Sequence, residues 1–227
     1  MIQNLPEGVL QDVHQYLPPD QFVGNFSAFD NQPRSQPVLV GEYGSTTNND
    51  GSTTEYPTMI GAVSEAVYMI GMERNSDVVR AAAFAPMLQH FGLEDWTPNM
   101  FGYDTASGVT RSISYFVQQM FSANRGDKVH SVQADAAFGP VYWVASSKGN
   151  GQQVFVKMAN YGVSEQEVTL KIEGKTSGQL TLISAEETET NLPGQEKVKP
   201  VTSQIEGDNG SFSVTLPAWS VAVVSAA

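Results

Sequence analysis

The chain of 227 residues has no cysteine, which excludes disulfides, thiolate metal sites and a cysteine nucleophile together. Basic residues are sparse. Twelve Lys and Arg stand against 24 Asp and Glu, for a formal net charge of -12, and no Lys/Arg cluster interrupts that balance. Nucleic acid and other polyanions are therefore poor partners. No apolar run approaches the roughly 20 residues that cross a bilayer, so the sequence reads as a soluble chain without a membrane partner. The first residues, MIQNLPEGVLQDVHQY, lack the basic n-region and apolar h-region of a signal peptide.

What is present is a composition able to build a core, with 41% hydrophobic residues and three tryptophans. The patterning changes near residue 125. Before it, short apolar strands alternate with segments of helical period, the mark of βα units and a parallel sheet. A strand is expected to end near Tyr16. A helix follows in PPDQFVGNFSAFDNQ, where Phe22, Phe26 and Phe29 fall on one face. Pro37 opens the strand VLVGEY. Pro57 suits the first turn of the helix PTMIGAVSEAVYMIGMERN. DVVRAAAFAPML reads as a buried strand, and VTRSISYFVQQMFSAN as a helix with Ile113, Phe116, Val117, Met120 and Phe121 on one side. This part supplies about three βα units.

After residue 125 the period becomes two. Val154, Val156 and Met158 share a face, as do Val168, Leu170 and Ile172, and then Phe212, Val214 and Leu216. Strands of this kind punctuated by Gly and Pro argue for an antiparallel sandwich. The domains are therefore 1–125, α/β, and 126–227, all β.

One feature carries chemistry. In PVLVGEYGSTT a strand built for burial runs into a carboxylate, Glu42. In parallel βα architectures reactive groups sit where strands emerge at their C-terminal ends. His14 and Tyr16, two residues apart, would point to one side of the preceding strand at its own C-terminal end. Glu, His and Tyr make a workable set: a carboxylate nucleophile, a donor to fix it and a phenol to hold it. A metal site is the rival, but one imidazole and one carboxylate fall short of the usual three or four ligands. A Glu at a strand end also serves as a solvated loop residue or cap partner. Glu73, Arg74 and Asp77 in MERNSD read as a local ion-pair and capping cluster.

The runs DVHQYLPPDQFVGNFSAFDNQPRSQPVLVGEYGSTT, ERNSDVVRAAAFAPML, WTPNM, SISYFVQQMFS and LPAWSVAVV, in this order, resemble the C-terminal portion of the α-L-arabinofuranosidases of glycoside hydrolase family 51, fungal and plant members most closely. The resemblance implies a retaining hydrolase that removes terminal α-L-arabinofuranosyl groups from arabinoxylan and arabinan, in hemicellulose degradation, with no cofactor. It implies a (β/α)8 barrel followed by a β-sandwich. Glu42 is then the nucleophile at the end of the seventh strand, and His14 and Tyr16 lie at the end of the sixth. Trp96 and Asn99 fall in the loop after the eighth strand, where further residues of the sugar pocket are expected. Gln15 stands where an aromatic is common, and Gly44 where Ala is common.

The family's acid/base is a Glu in an Asn-Glu pair on the fourth strand, and this chain contains no such pair. A barrel takes about 250 residues and eight strands. The sequence is thus expected to be a fragment beginning near the sixth strand, lacking the acid/base and inactive alone. A non-catalytic carbohydrate-binding or interaction module is the alternative, with Tyr142, Trp143, Phe155, Tyr161 and Trp219 as candidate platform residues. An extracellular location follows from the family, and the sequons at Asn25 and Asn209 permit glycosylation.

Overall fold

A computed structural model describes residue 6 and residues 8–93 and 96–227; the reading of residues 1–5 lies outside them. The chain begins with β1 (Gln11–Tyr16), α1 (Pro19–Gly24), β2 (Val38–Gly44), α2 (Met59–Arg74) and β3 (Val79–Phe84), and its three strands form a parallel sheet in the order β1-β2-β3. A small sheet of β4 (Leu88–His90), β5 (Phe101–Asp104) and β6 (Gly108–Arg111) precedes α3 (Ile113–Ala123). The remaining strands are β7 (Lys128–His130), β8 (Val141–Lys148), β9 (Gln153–Asn160), β10 (Gln166–Lys171), β11 (Ser177–Ser184), β12 (Val201–Glu206), β13 (Ser211–Leu216) and β14 (Ser220–Ala226). Six of them make an antiparallel sheet ordered β12-β11-β14-β9-β8-β7, while β10 and β13 pair separately. Among the described residues no helix is long and apolar enough to cross a membrane.

Three cores follow from the patterning. The first joins the parallel sheet to the helices, with Val38, Val40 and Tyr43 against Phe22, Phe29, Tyr68 and Met72. The second sets α2 and α3 against one face of the six-stranded sheet, through Val63, Val67, Phe116 and Val117 on Val144, Ile183, Val221 and Val223. On the opposite face of that sheet, Val156, Met158, Ala222 and Val224 meet Phe212, Val214 and Leu216 of the two-stranded one. This alternation of Val221 and Val223 against Ala222 and Val224 is why β14 reads as apolar from Val221 to Val224: both its faces are covered. Helix α2 is buried on nearly every side for the same reason, lying between two sheets.

Several local expectations are corrected. Pro57 lies outside the first turn of α2; Thr58 is the cap, and its hydroxyl accepts from Gly61 N–H at 3.3 Å. The helix expected across residues 18–32 stops at Gly24, and the chain continues in successive three-residue turns, Phe26 N–H to Val23 O, Ala28 to Asn25 and Asp30 to Ser27. Spacings of four and then three keep the phenylalanines on one side, and Phe22, Phe26 and Phe29 are all buried. In β3 only Val79 and Phe84 are buried, and Arg80 to Ala83 are exposed. β3 is an edge strand of its sheet, paired only with β2 among the described residues.

Glu73, Arg74 and Asp77 are not a local cluster. Glu73 reaches Lys157 of β9 at 2.5 Å, Arg74 reaches Asp30 at 3.5 Å, and Asp77 reaches Arg34 at 2.9 Å. Each tethers a separate part of the chain. The connection between β11 and β12 also leaves its sheet to cap α2, with Met59 and Ile60 N–H donating to the carbonyls of Glu189 and Glu187, both at 2.9 Å. Those two helix-start amides would otherwise lack acceptors. The same connection grips β6, where Glu196 takes the Arg111 guanidinium in a bidentate pair at 2.9 and 2.7 Å.

Candidate active site

Glu42 departs from the simple alternation of β2. Val38 and Val40 enter the helix-covered core, and continued alternation would send residue 42 after them. The pairing of β1 with β2 runs Asp12 with Leu39 and Val13 with Val40, then jumps to His14 with Glu42. Gly41 is passed over, so the strand carries a bulge there. The extra residue inverts the side-chain parity. Tyr43, 2% exposed, takes the core position, and Glu42 turns to the face that also carries Asp12, His14 and Tyr16.

On that face the groups converge. The Tyr16 hydroxyl donates to Glu42 Oε2 in a very short hydrogen bond, and His14 Nδ1 approaches the same oxygen at 3.3 Å. Oε1 has no protein partner among the described residues. A carboxylate held by one oxygen with the other free is oriented for attack. Burial, followed by the hydrogen bond and charge of Glu42, pushes the Tyr16 phenol upward in pKa, so it remains a donor. The other side of the His14 ring is also engaged: Nε2 lies 3.1 Å from Asp12 Oδ2, and Asp12 Oδ1 accepts from Gly41 N–H at 3.2 Å.

Trp96 stands over this group, its ring edge-on to Tyr16 with centroids 5.3 Å apart. It is half exposed, at 50%, and so is not core. Asn99 is brought near only indirectly. It is buried, and its Nδ2 donates to the carbonyl of Trp96 at 2.8 Å, so it shapes the loop that carries the tryptophan. Among the described residues no group of three or more His, Asp or Glu side chains could hold a metal ion.

Beneath the rim lies a carboxyl group that sequence reasoning missed. Glu65 of α2, 1% exposed, accepts from Ser45 N–H at 2.9 Å and meets the Ser114 hydroxyl at 2.6 Å. Burial raises its pKa to about 7, against the opposing effect of those two hydrogen bonds. It ties the chain three residues beyond Glu42 to α2 and α3. At the neighbouring Gly44, a Cβ would lie 2.5 Å from the carbonyl of Ala85, so glycine fits here where the resemblance makes alanine common.

The candidate platform residues of the sandwich are poorly disposed. Phe155 is buried, Trp143 lies under Phe138 with centroids 4.2 Å apart, and Tyr161 is edge-on to Trp219. Of the two sequons, Asn209 is exposed in the β12–β13 turn, while Asn25 is half-buried and bonded to Gln15.

Comparison with known proteins bears on what the rim belongs to. Residues 41–220 match the family model described as the alpha-L-arabinofuranosidase C-terminal domain. The chain is 45% identical over 226 residues to α-L-arabinofuranosidase A of Aspergillus niger, covering 99% of this chain and 35% of that protein. The chain belongs to the alpha-L-arabinofuranosidase C-terminal domain family. A protein named "Probable alpha-L-arabinofuranosidase A" of Aspergillus flavus is 49% identical, with 98% of this chain and 34% of that one covered. An arabinose-bound family 51 α-L-arabinofuranosidase superposes with a TM-score of 0.87 at 34% identity, over 95% of this chain and 36% of that one. An arabinofuranosidase from Thermotoga maritima superposes with a TM-score of 0.75 at 13% identity, over 94% of this chain and 52% of that one, a likeness of fold alone. The chain thus spans about a third of the length of the curated relatives it matches. The arabinofuranosidase model begins at Gly41, the bulge residue, so Asp12, His14 and Tyr16 lie ahead of the matched region.

Proposed function

We propose that this chain supplies the nucleophile side of a retaining α-L-arabinofuranosidase. In this reading β1, β2 and β3 are strands six to eight of a (β/α)8 barrel within a domain 1–125, and residues 126–227 form the sandwich that braces it. Glu42 attacks the anomeric carbon. Tyr16 and His14 hold its Oε2, and Trp96 forms a wall of the sugar pocket with Asn99 behind it. The substrate is the terminal α-L-arabinofuranosyl group of arabinoxylan or arabinan, and the enzyme is secreted. Asn209 is the better placed of the two sequons for a glycan.

The observation that carries the reading is the one-sided grip on Glu42 at the C-terminal ends of two parallel strands. Retaining hydrolysis needs two carboxyl groups about 5 to 5.5 Å apart, one attacking and one first donating a proton to the leaving oxygen. Among the described residues the other carboxylate on this rim is Asp12, whose Oδ1 accepts from Gly41 N–H and whose Oδ2 lies 3.1 Å from His14 Nε2. Glu65 is buried beneath and committed to Ser45 and Ser114. In this reading the acid/base comes from outside this chain, as the resemblance implies: the sequence contains no Asn-Glu pair.

Assayed alone on an aryl α-L-arabinofuranoside, the purified chain is expected to give no turnover above that of its Glu42→Ala variant. Turnover at the rate of a full-length enzyme, abolished by Glu42→Ala, would show that this chain holds both carboxyl groups. The module reading is not favoured by the packing of Tyr142, Trp143, Tyr161 and Trp219 against the cores, which leaves each only partly exposed. It would gain support if the chain were retarded on arabinoxylan in affinity electrophoresis, with retardation lost in a Trp143 or Trp219 variant and unaffected by Glu42→Ala.

A further inference from the structure

We infer that Asp12 is a positioning residue: its carboxylate fixes the bulge at Gly41 and thereby turns Glu42 onto the face of Tyr16 and His14. Its meaning for catalysis rests on the reading of Glu42 as nucleophile; its geometry does not.

The case begins with register. Without the bulge, the pairing of Asp12 with Leu39 and Val13 with Val40 would continue as His14 with Gly41 and Gln15 with Glu42. A one-residue slip exchanges the faces of every following side chain. Glu42 would then point into the core of Val38, Val40 and Tyr68, and Tyr43 would leave it. Something must favour the bulged arrangement.

A bulged residue is left outside the ladder, and its N–H needs an acceptor. Asp12 provides it: Oδ1 accepts from Gly41 N–H at 3.2 Å. The space is matched as well. A Cβ built on Gly41 would overlap Asp12 Oδ1 and lie 3.1 Å from His14 Nε2, so the carboxylate occupies the volume that a side chain at 41 would need. The second oxygen, Oδ2, sits 3.1 Å from His14 Nε2. Asp12 thus touches the bulge directly and the imidazole beside Glu42, but not Glu42 itself. Its role is distinct from that of His14, which meets Glu42 without touching the bulge amide.

The test separates the two contacts. Asp12→Asn keeps an oxygen for Gly41 N–H, Asp12→Ala removes both contacts, and His14→Ala removes only the imidazole. The readouts, on the isotopically labelled chain, are the exchange rate of the Gly41 amide and the ring-carbon resonance of Tyr16, which reports its hydrogen bond to Glu42. Asp12→Ala is expected to speed Gly41 exchange roughly tenfold or more, as loss of one hydrogen bond implies, and to move the Tyr16 resonance to its position in Glu42→Ala. Asp12→Asn and His14→Ala are expected to keep Gly41 protected, and Asp12→Asn to keep the Tyr16 resonance as well. The inference is overturned if Asp12→Ala leaves both readouts unchanged, or if His14→Ala alone exposes Gly41. Should Asp12→Ala not fold, Asp12→Ser, whose hydroxyl falls short of Gly41, carries the same expectations. Failure here would leave the glycosidase reading intact, and failure of that reading in the turnover assays would leave these signals as described.

Discussion

Joined behind the preceding part of the Aspergillus flavus relative, this chain is expected to complete an enzyme that hydrolyses aryl α-L-arabinofuranosides, and Glu42→Ala to lower its kcat roughly 10⁴-fold or more. The size follows from the role. A nucleophile acts in the bond-making step itself, and among the described residues no neighbour stands ready to replace it: Tyr16 and His14 approach only Oε2, and Asp12 is turned to the Gly41 amide and the His14 ring. KM should change far less than kcat, because a carboxylate lost from beneath the sugar ring leaves the rest of the pocket in place. A small anion such as azide, admitted to the space vacated by the carboxylate, should restore part of the rate. Initial rates with and without azide check this, and retention of more than a tenth of the wild-type kcat in Glu42→Ala would remove Glu42 from the mechanism.

The second large effect concerns stability and pH. Glu65 has a folded pKa of about 7 against an ordinary 4.5. A carboxyl group with a raised folded pKa binds its proton more tightly in the native state. Its contribution is fully present below about pH 4.5 and is lost as pH rises toward 7. At 1.36 kcal/mol for each unit, the loss is about 3 kcal/mol across that window. Glu65→Gln stays neutral, keeps an oxygen for Ser45 N–H and presents an amide to Ser114. It is expected to match the parent chain near pH 4.5 and to exceed its stability by about 3 kcal/mol at pH 8. Urea unfolding of both chains from pH 4.5 to 8 measures the difference directly. Parallel curves for the two chains would mean that Glu65 is ionised in the native state throughout. Because Glu65 holds the segment just beyond Glu42, this coupling also bears on how firmly the rim is held at alkaline pH.

Much of this arrangement was legible in the sequence, and the failures have specific causes. The period-two runs of β10 and β13 indicated their inward faces, that of β9 marked one of its two buried faces, and the one-sided residues of α3 are buried. His14, Tyr16 and Glu42 come together as expected at adjacent strand ends. The bulge was not legible, because alternation assumes a regular strand, and the apolar run before Glu42 gives no sign that parity inverts at Gly41. Asp12 could have been found: it precedes His14 by two residues and so shares its face. The partners of Glu73, Arg74 and Asp77 were missed because local spacing reports only neighbours in the chain. Lys157 lies 84 positions from Glu73. Glu65 was hidden by the helix itself, which is apolar on nearly every side and gives no polar face on which a buried carboxyl group would stand out.

The central claim, that Glu42 forms the covalent bond to the sugar, is tested most directly by trapping that bond. The joined enzyme would be treated with an arabinofuranosyl donor bearing fluorine at C2 and an activated leaving group that departs without a proton. The fluorine slows breakdown of the glycosyl-enzyme, and peptide mass spectrometry then locates the label. The expected result is one sugar on the peptide PVLVGEYGSTT, at Glu42, with no label in Glu42→Ala. A label on any other carboxylate, or undiminished labelling of Glu42→Ala, would contradict it.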